Sequence, residues 1–161
     1  MGEKQFSERD DAFMRLAIEE AHKAEAAGDI PVGAILVDHE SGEIIARGYN
    51  TREVEQNALG HAEINVIESA CRETGSWRLG GTTLYVTLEP CPMCAGAIVN
   101  ARIPRVVYGA SDPTVGAMGS VWNLSHHPAA ELATANVSCG CLEDECKTLM
   151  AEFFKNKRIK K

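Results

Sequence analysis

Two short clusters could carry chemistry in this chain: His61-Ala62-Glu63 and Pro90-Cys91-Pro92-Met93-Cys94. They offer one imidazole and two thiols at Cys-x-x-Cys spacing, the nitrogen and sulfur donors that suit tetrahedral zinc. Three protein donors leave a fourth position open for water, which separates catalytic from structural zinc, and zinc brings the pKa of bound water down to about 7. Glu63 is not needed as a ligand, so its carboxylate is available to move a proton to a leaving group. Alone, the Cys-x-x-Cys also fits half of a structural zinc site or a redox pair. A structural site needs a fourth ligand, which Cys71, Cys139, Cys141 or Cys146 could supply. A thioredoxin-like dithiol leaves the upstream His-Ala-Glu unexplained. Taken together, the two clusters predict one zinc per chain, held by His61, Cys91 and Cys94, with Glu63 as proton shuttle.

The elements that must position these groups follow from residue periodicity. Ser7-Glu8-Arg9-Asp10 is a capping signal, and Phe13, Leu16, Ala17, Ala21 and Ala24 recur at helical spacing up to Gly28-Asp29. Val32 to Asp38 and Glu43 to Tyr49 read as strands around a Ser41-Gly42 turn. His61 to Glu73 carries the stripe Ile64, Val66, Ile67 and Ala70, which predicts a helix. Thr83 to Leu88 is β-branched and aromatic, which predicts a central strand. Pro92 suits the first turn of a helix running to Ala101, and Arg105 to Ala110 is a further short strand. Gly116, Gly119 and Pro128 mark an irregular stretch before a final helix near Glu143 to Arg158. With no repeat or linker, this order predicts a single domain over residues 1–161, a three-layer α/β/α sandwich. Cys91 and Cys94 at one helix start can face the same side, where the positive helix end favours thiolate. His61 opens a second helix, so two helix starts meeting at a central sheet would hold the metal.

Composition bounds the rest. The chain has 161 residues, 45% of them hydrophobic, enough for one sizeable core. No apolar run approaches a membrane span, and the amino end has no signal-peptide core. Six cysteines without such a signal read as reduced thiols and metal ligands in the cytoplasm. The net charge of −7 argues against broad nucleic-acid affinity. Yet Lys155, Lys157, Arg158, Lys160 and Lys161 lie together at the carboxyl end, directly after Phe153-Phe154. That arrangement suits either a phosphate contact beside aromatic surface or a solvated helix end complementing its own dipole. His22 and His39 read as surface residues, and His126 and His127 as exposed and inert.

The H-x-E and P-C-x-x-C pair resembles the signature of zinc-dependent nucleobase deaminases. Within that group the chain resembles the bacterial tRNA adenosine deaminases over roughly Phe6 to Arg158. The resemblance rests on Ile30-Pro31-Val32-Gly33-Ala34, Gly60 to Ile64, Leu84 to Ala97, Val106 to Ala110 with Asp112, Glu145-Cys146 and the double Phe. It implies a cytidine-deaminase-like fold and a homodimer that converts adenosine to inosine at the first anticodon position of an anticodon stem-loop. It further implies that Asn50 hydrogen-bonds the flipped base and that Asp112 lies near the substrate backbone, although Asp112 also suits a cap or turn. Phe153, Phe154, Lys155, Lys157 and Arg158 become candidate RNA contacts. Two departures fall outside the zinc cluster: Ala129 to Thr134 replace a usual Asn-His continuation, and Ser111 stands where a basic residue is common. Another zinc deaminase acting on a free base or nucleoside, such as guanine or cytidine, is the main alternative. A noncatalytic zinc-stabilised RNA-binding dimer is the other, and it would have no need of Glu63.

Overall fold

The structure, a computed structural model, describes residues 5–126 and 134–159, with side chains in the last helix described as far as 157. In chain order the elements are α1 (Glu8–Ala26), β1 (Gly33–Asp38), β2 (Ile44–Tyr49), α2 (Arg52–Glu55), α3 (Ala62–Thr74), β3 (Thr82–Leu88), α4 (Pro92–Asn100), β4 (Arg105–Ala110), β5 (Asn136–Cys139) and α5 (Glu143–Ile159). The strands form one sheet in the order β2-β1-β3-β4-β5. β1 is antiparallel to both neighbours, whereas β3, β4 and β5 run parallel.

The period-2 alternation of the strands sorts the core into two halves. Ala34, Leu36, Leu84, Val86 and Val106 join Ala62, Val66 and Ala70 of α3 and Ala95 and Ile98 of α4 on one face. Ile35, Val37, Tyr85 and Val107 join Met14 and Ala17 of α1 and Cys146 of α5 on the other. This is the three-layer sandwich that the element order predicts. α1 begins as expected: Ser7 Oγ accepts from Asp10 N at 3.0 Å, and the Asp10 carboxylate accepts from Ser7 N at 3.3 Å, a closed capping box.

Predicted boundaries hold within a residue or two, but two elements are additions. The first is α2, only four residues long. The second is β5, which lies inside the stretch read as irregular and pairs with β4 at the sheet edge. β5 is partly exposed along its whole length, so no apolar alternation marks it in the sequence.

Candidate active site

The site lies where α3 and α4 start side by side. His61 is the N-cap of α3 and Cys91 the N-cap of α4, both with extended backbone, and Pro92 opens α4 with no amide proton to satisfy. His61 Nδ1 lies 3.6 Å from Cys91 Sγ and 3.4 Å from Cys94 Sγ. A tetrahedral zinc with its usual bond lengths separates a nitrogen and a sulfur ligand by about 3.6 Å, so the donors already stand at ligand spacing. Among the described residues no other His, Cys, Asp or Glu group has metal-binding spacing. The structural-zinc alternative therefore lacks its fourth ligand. Cys141 and Cys146 lie on the far face of the sheet, Cys71 packs against the near core, and Cys139 is exposed on β5.

Protonation is shared within the cluster. A hydrogen bond from the Cys94 thiol, together with His61, pulls the Cys91 thiol down to about 4. The same bond, with burial, drives Cys94 up beyond the thiol range. One sulfur is thus anionic at neutral pH, and the His61 pKa is raised by its bond to Cys91. Glu63, in the first turn of α3, is buried, and burial raises its pKa above the usual carboxylate range.

Above these groups opens a pocket of ≈ 490 Å³, the size of a small-molecule site. It sits beyond the carboxyl ends of the parallel strands β3 and β4, where open α/β sheets place ligands. Asn50, His61, Glu63, Cys91, Asp112 and Phe154 all line it, so one cavity gathers most of the sequence-predicted site residues. Asp112 also makes a turn, its Oδ1 accepting from Thr114 N and Val115 N at 2.9 and 3.2 Å. Phe154 is 41% exposed at the pocket edge, and Lys155 beside it borders an adjoining hollow. Phe153 lies outside the pocket lining and is half-buried, with Lys157 Nζ 5.3 Å from its ring centre. Ser111 is exposed at the pocket wall. His22, His39 and His126 are exposed. His127, residues 129–133, the Arg158 side chain, Lys160 and Lys161 lie outside the described residues.

Two buried carboxylates that sequence reasoning left unassigned shape the walls. Glu89, between β3 and Cys91, accepts from Asp112 N at 3.0 Å and from Met118 N and Ser120 N at 3.1 Å, and also from the Ser120 hydroxyl. Burial alone would raise its pKa, but these bonds bring it below the usual value. The loop after β4 is thereby tied to the segment bearing Cys91. Gly116 fits this clamp because a Cβ there would stand 2.5 Å from the Glu89 carboxyl carbon. Asp29, at the end of α1, accepts from Asn50 Nδ2 at 2.7 Å. The sequence shows only one acidic residue before Cys91 and one after Gly28; most of their partners lie far along the chain.

A model of the cytidine and deoxycytidylate deaminase zinc-binding region matches residues 7–110. The chain is 50% identical over 153 residues to the tRNA-specific adenosine deaminase of Bacillus subtilis, covering 95% of this chain and 93% of that protein. It is 44% identical over 155 residues to the tRNA-specific adenosine deaminase of Haemophilus influenzae, covering 96% of this chain and 88% of the relative. The solved structure of a tRNA:A34 deaminase, studied for A-to-I editing at the wobble position of transfer RNA, superposes with a TM-score of 0.80 at 43% identity. That match covers 86% of this chain and 98% of the other. Identity of this order runs through the zinc cluster and past it into α5, and the sandwich is shared. The chain belongs to the zinc-dependent cytidine and deoxycytidylate deaminase family, within its tRNA-specific adenosine deaminase branch.

Proposed function

We propose that this protein hydrolyses adenosine to inosine at the wobble position of a tRNA anticodon stem-loop. One observation carries the reading: a buried Glu63 beside a His61-Cys91-Cys94 zinc cluster, at the base of a nucleoside-sized pocket whose rim bears Phe154. The net reaction adds water at the amine-bearing ring carbon and releases ammonia. Zinc, held by His61, Cys91 and Cys94, supplies a water acidified enough to react at neutral pH. Glu63 accepts a proton, passes it to a ring nitrogen of the base, and then assists the amine to leave as ammonia. Its burial keeps that carboxylate out of bulk water between the two transfers. Asn50 hydrogen-bonds the flipped base, and Ile30 and Val32 give the pocket an apolar wall that excludes bulk water. Asp112 lies along the path of the substrate backbone. Phe154 offers a face for a neighbouring base, with Lys147 and Lys155 near its phosphates and Phe153, Lys157 and Arg158 farther along α5.

We further read residues 1–161 as one deaminase domain, acting in the cytoplasm as a homodimer. Val115, Val121, Trp122 and Leu124 expose a short apolar row on the loop after β4, which a second copy would cover. Among the described residues no helix is long and apolar enough to cross a membrane. The deciding experiment offers the purified protein an adenosine-bearing anticodon stem-loop, free adenosine, cytidine and guanine separately. Inosine formed only in the stem-loop supports the reading. Turnover of a free base or nucleoside moves the activity elsewhere in the family, and stem-loop binding without any product leaves an RNA-binding dimer.

A further inference from the structure

We propose that Asp29 is a positioning residue for the deamination, acting through Asn50 and through the start of α2. The proposal rests on the reading of the pocket as a nucleoside site. Asp29 has no exposed surface and is absent from the pocket lining, so it touches no substrate. Its carboxylate is nevertheless fully engaged. Oδ1 accepts from Ile30 N at 2.9 Å and Asn50 Nδ2 at 2.7 Å. Oδ2 accepts from Glu53 N at 2.9 Å and Val54 N at 3.0 Å.

All four partners are donors, three of them backbone amides. Asp29 is therefore an acceptor toward Asn50, and only the nitrogen end of that amide can face it. One Asn50 amide proton is held by Asp29. The other proton and the carbonyl oxygen are left for the pocket, with the amide plane fixed. The second oxygen does a separate task. Glu53 and Val54 open α2, a four-residue helix whose own N-cap, Thr51, makes no side-chain capping bond. Asp29 supplies that cap from 24 residues away. Arg52, the first residue of α2, lines the same pocket as Asn50. A single buried carboxylate thus fixes two neighbouring wall residues that reach the substrate.

The test is a double-mutant cycle on stem-loop deamination, with Asp29→Asn, Asn50→Ala and the double variant, all zinc-loaded. Whichever way the new amide at position 29 turns, its NH2 group faces two donors. Asp29→Asn is expected to lower kcat/KM by about 10- to 100-fold, the range for a hydrogen bond to a charged group. In the Asn50→Ala background the same change is expected to cost markedly less, because the group it orients is gone. Asp29→Glu, which keeps an acceptor-only carboxylate, is expected to recover part of the lost turnover. Asp29→Ala serves the same cycle if Asp29→Asn does not fold. Equal losses in both backgrounds would take Asn50 out of the path and overturn the proposal, as would a lowered melting temperature with unchanged kcat/KM, which would show a cap for α2 alone. The cycle runs on whichever substrate the unaltered protein turns over. Absence of all turnover would instead overturn the functional reading, and this proposal with it.

Discussion

Glu63 combines two properties that a surface carboxylate lacks: enclosure by the core and a position beside three metal ligands. Enclosure raises its pKa above the usual carboxylate range, and proton transfer is the role its place beside the ligands suits. Glu63→Gln keeps the size and loses the titration. Metal analysis of that variant should find zinc retained, while turnover falls at least about 100-fold, the lower range for losing a general acid or base. Near-normal turnover would remove Glu63 from the role. Cys91→Ala and Cys94→Ala should instead each lose the metal, since neither leaves three donors at tetrahedral spacing. These residues are legible in the sequence because their geometry is local: a Cys-x-x-Cys pair and a His-x-Glu pair, each at a helix start. Asp29 and Glu89 are not legible, because all their partners but the adjacent Ile30 amide lie 21 or more residues onward. Only folding reveals what such carboxylates hold.

Among the elements, α5 is where the predicted RNA contacts divide. Phe154 reaches the pocket, whereas Phe153 turns toward Lys157. With a net charge of −7, attraction for a polyanion must be concentrated locally, and the end of α5 is the richest basic segment. Removing residues 155–161 leaves Phe154 in place. Binding of the stem-loop should weaken, and the dependence of log Kd on log salt should become shallower, because fewer counterions are released. Zinc content should not change. An unaltered salt slope would reduce the tail to a solvated helix end. The helices and central strands are visible in the sequence because their apolar periods run over several residues. α2 is invisible there, being four residues long and capped by Asp29 from outside its own segment. β5 is invisible because an edge strand with no fully buried residue carries no period-2 signal.

At the scale of the whole molecule, Asp10 joins α1 to the parallel strands on the side of the sheet away from α3 and α4. It pairs with Arg105 through both oxygens at 3.0 and 3.1 Å and accepts the Tyr85 hydroxyl at 2.6 Å. Burial alone would raise its pKa, but the Arg105 and Tyr85 hydrogen bonds bring it from 3.8 down to about 2. The folded chain therefore binds fewer protons than the unfolded chain between those values. The stabilisation, roughly 2 kcal/mol, is complete above the unfolded pKa and is lost as pH falls toward the folded one. Urea melts of the protein and of Asp10→Asn should differ in stability at pH 7 and converge as pH falls from about 4 to about 2. A gap that stays constant over that range would exclude Asp10 titration as its source. The opposite wall of the same layer rests on Gly109 of β4, where any Cβ would collide with the Cys146 side chain and stand 2.9 Å from Thr87 O. α5 is seated on bare strand backbone at that point. Phe154 lies eight residues further along, about 12 Å at helical rise. The outer wall of the pocket is thus a cantilever: Cys146 and Leu149 are buried at its root and Met150 packs against the core, while Phe154 at the tip meets solvent. An added methyl at Gly109 would act as a wedge under the root, and the tip would swing furthest while the metal ligands, carried on other elements, stayed where they are.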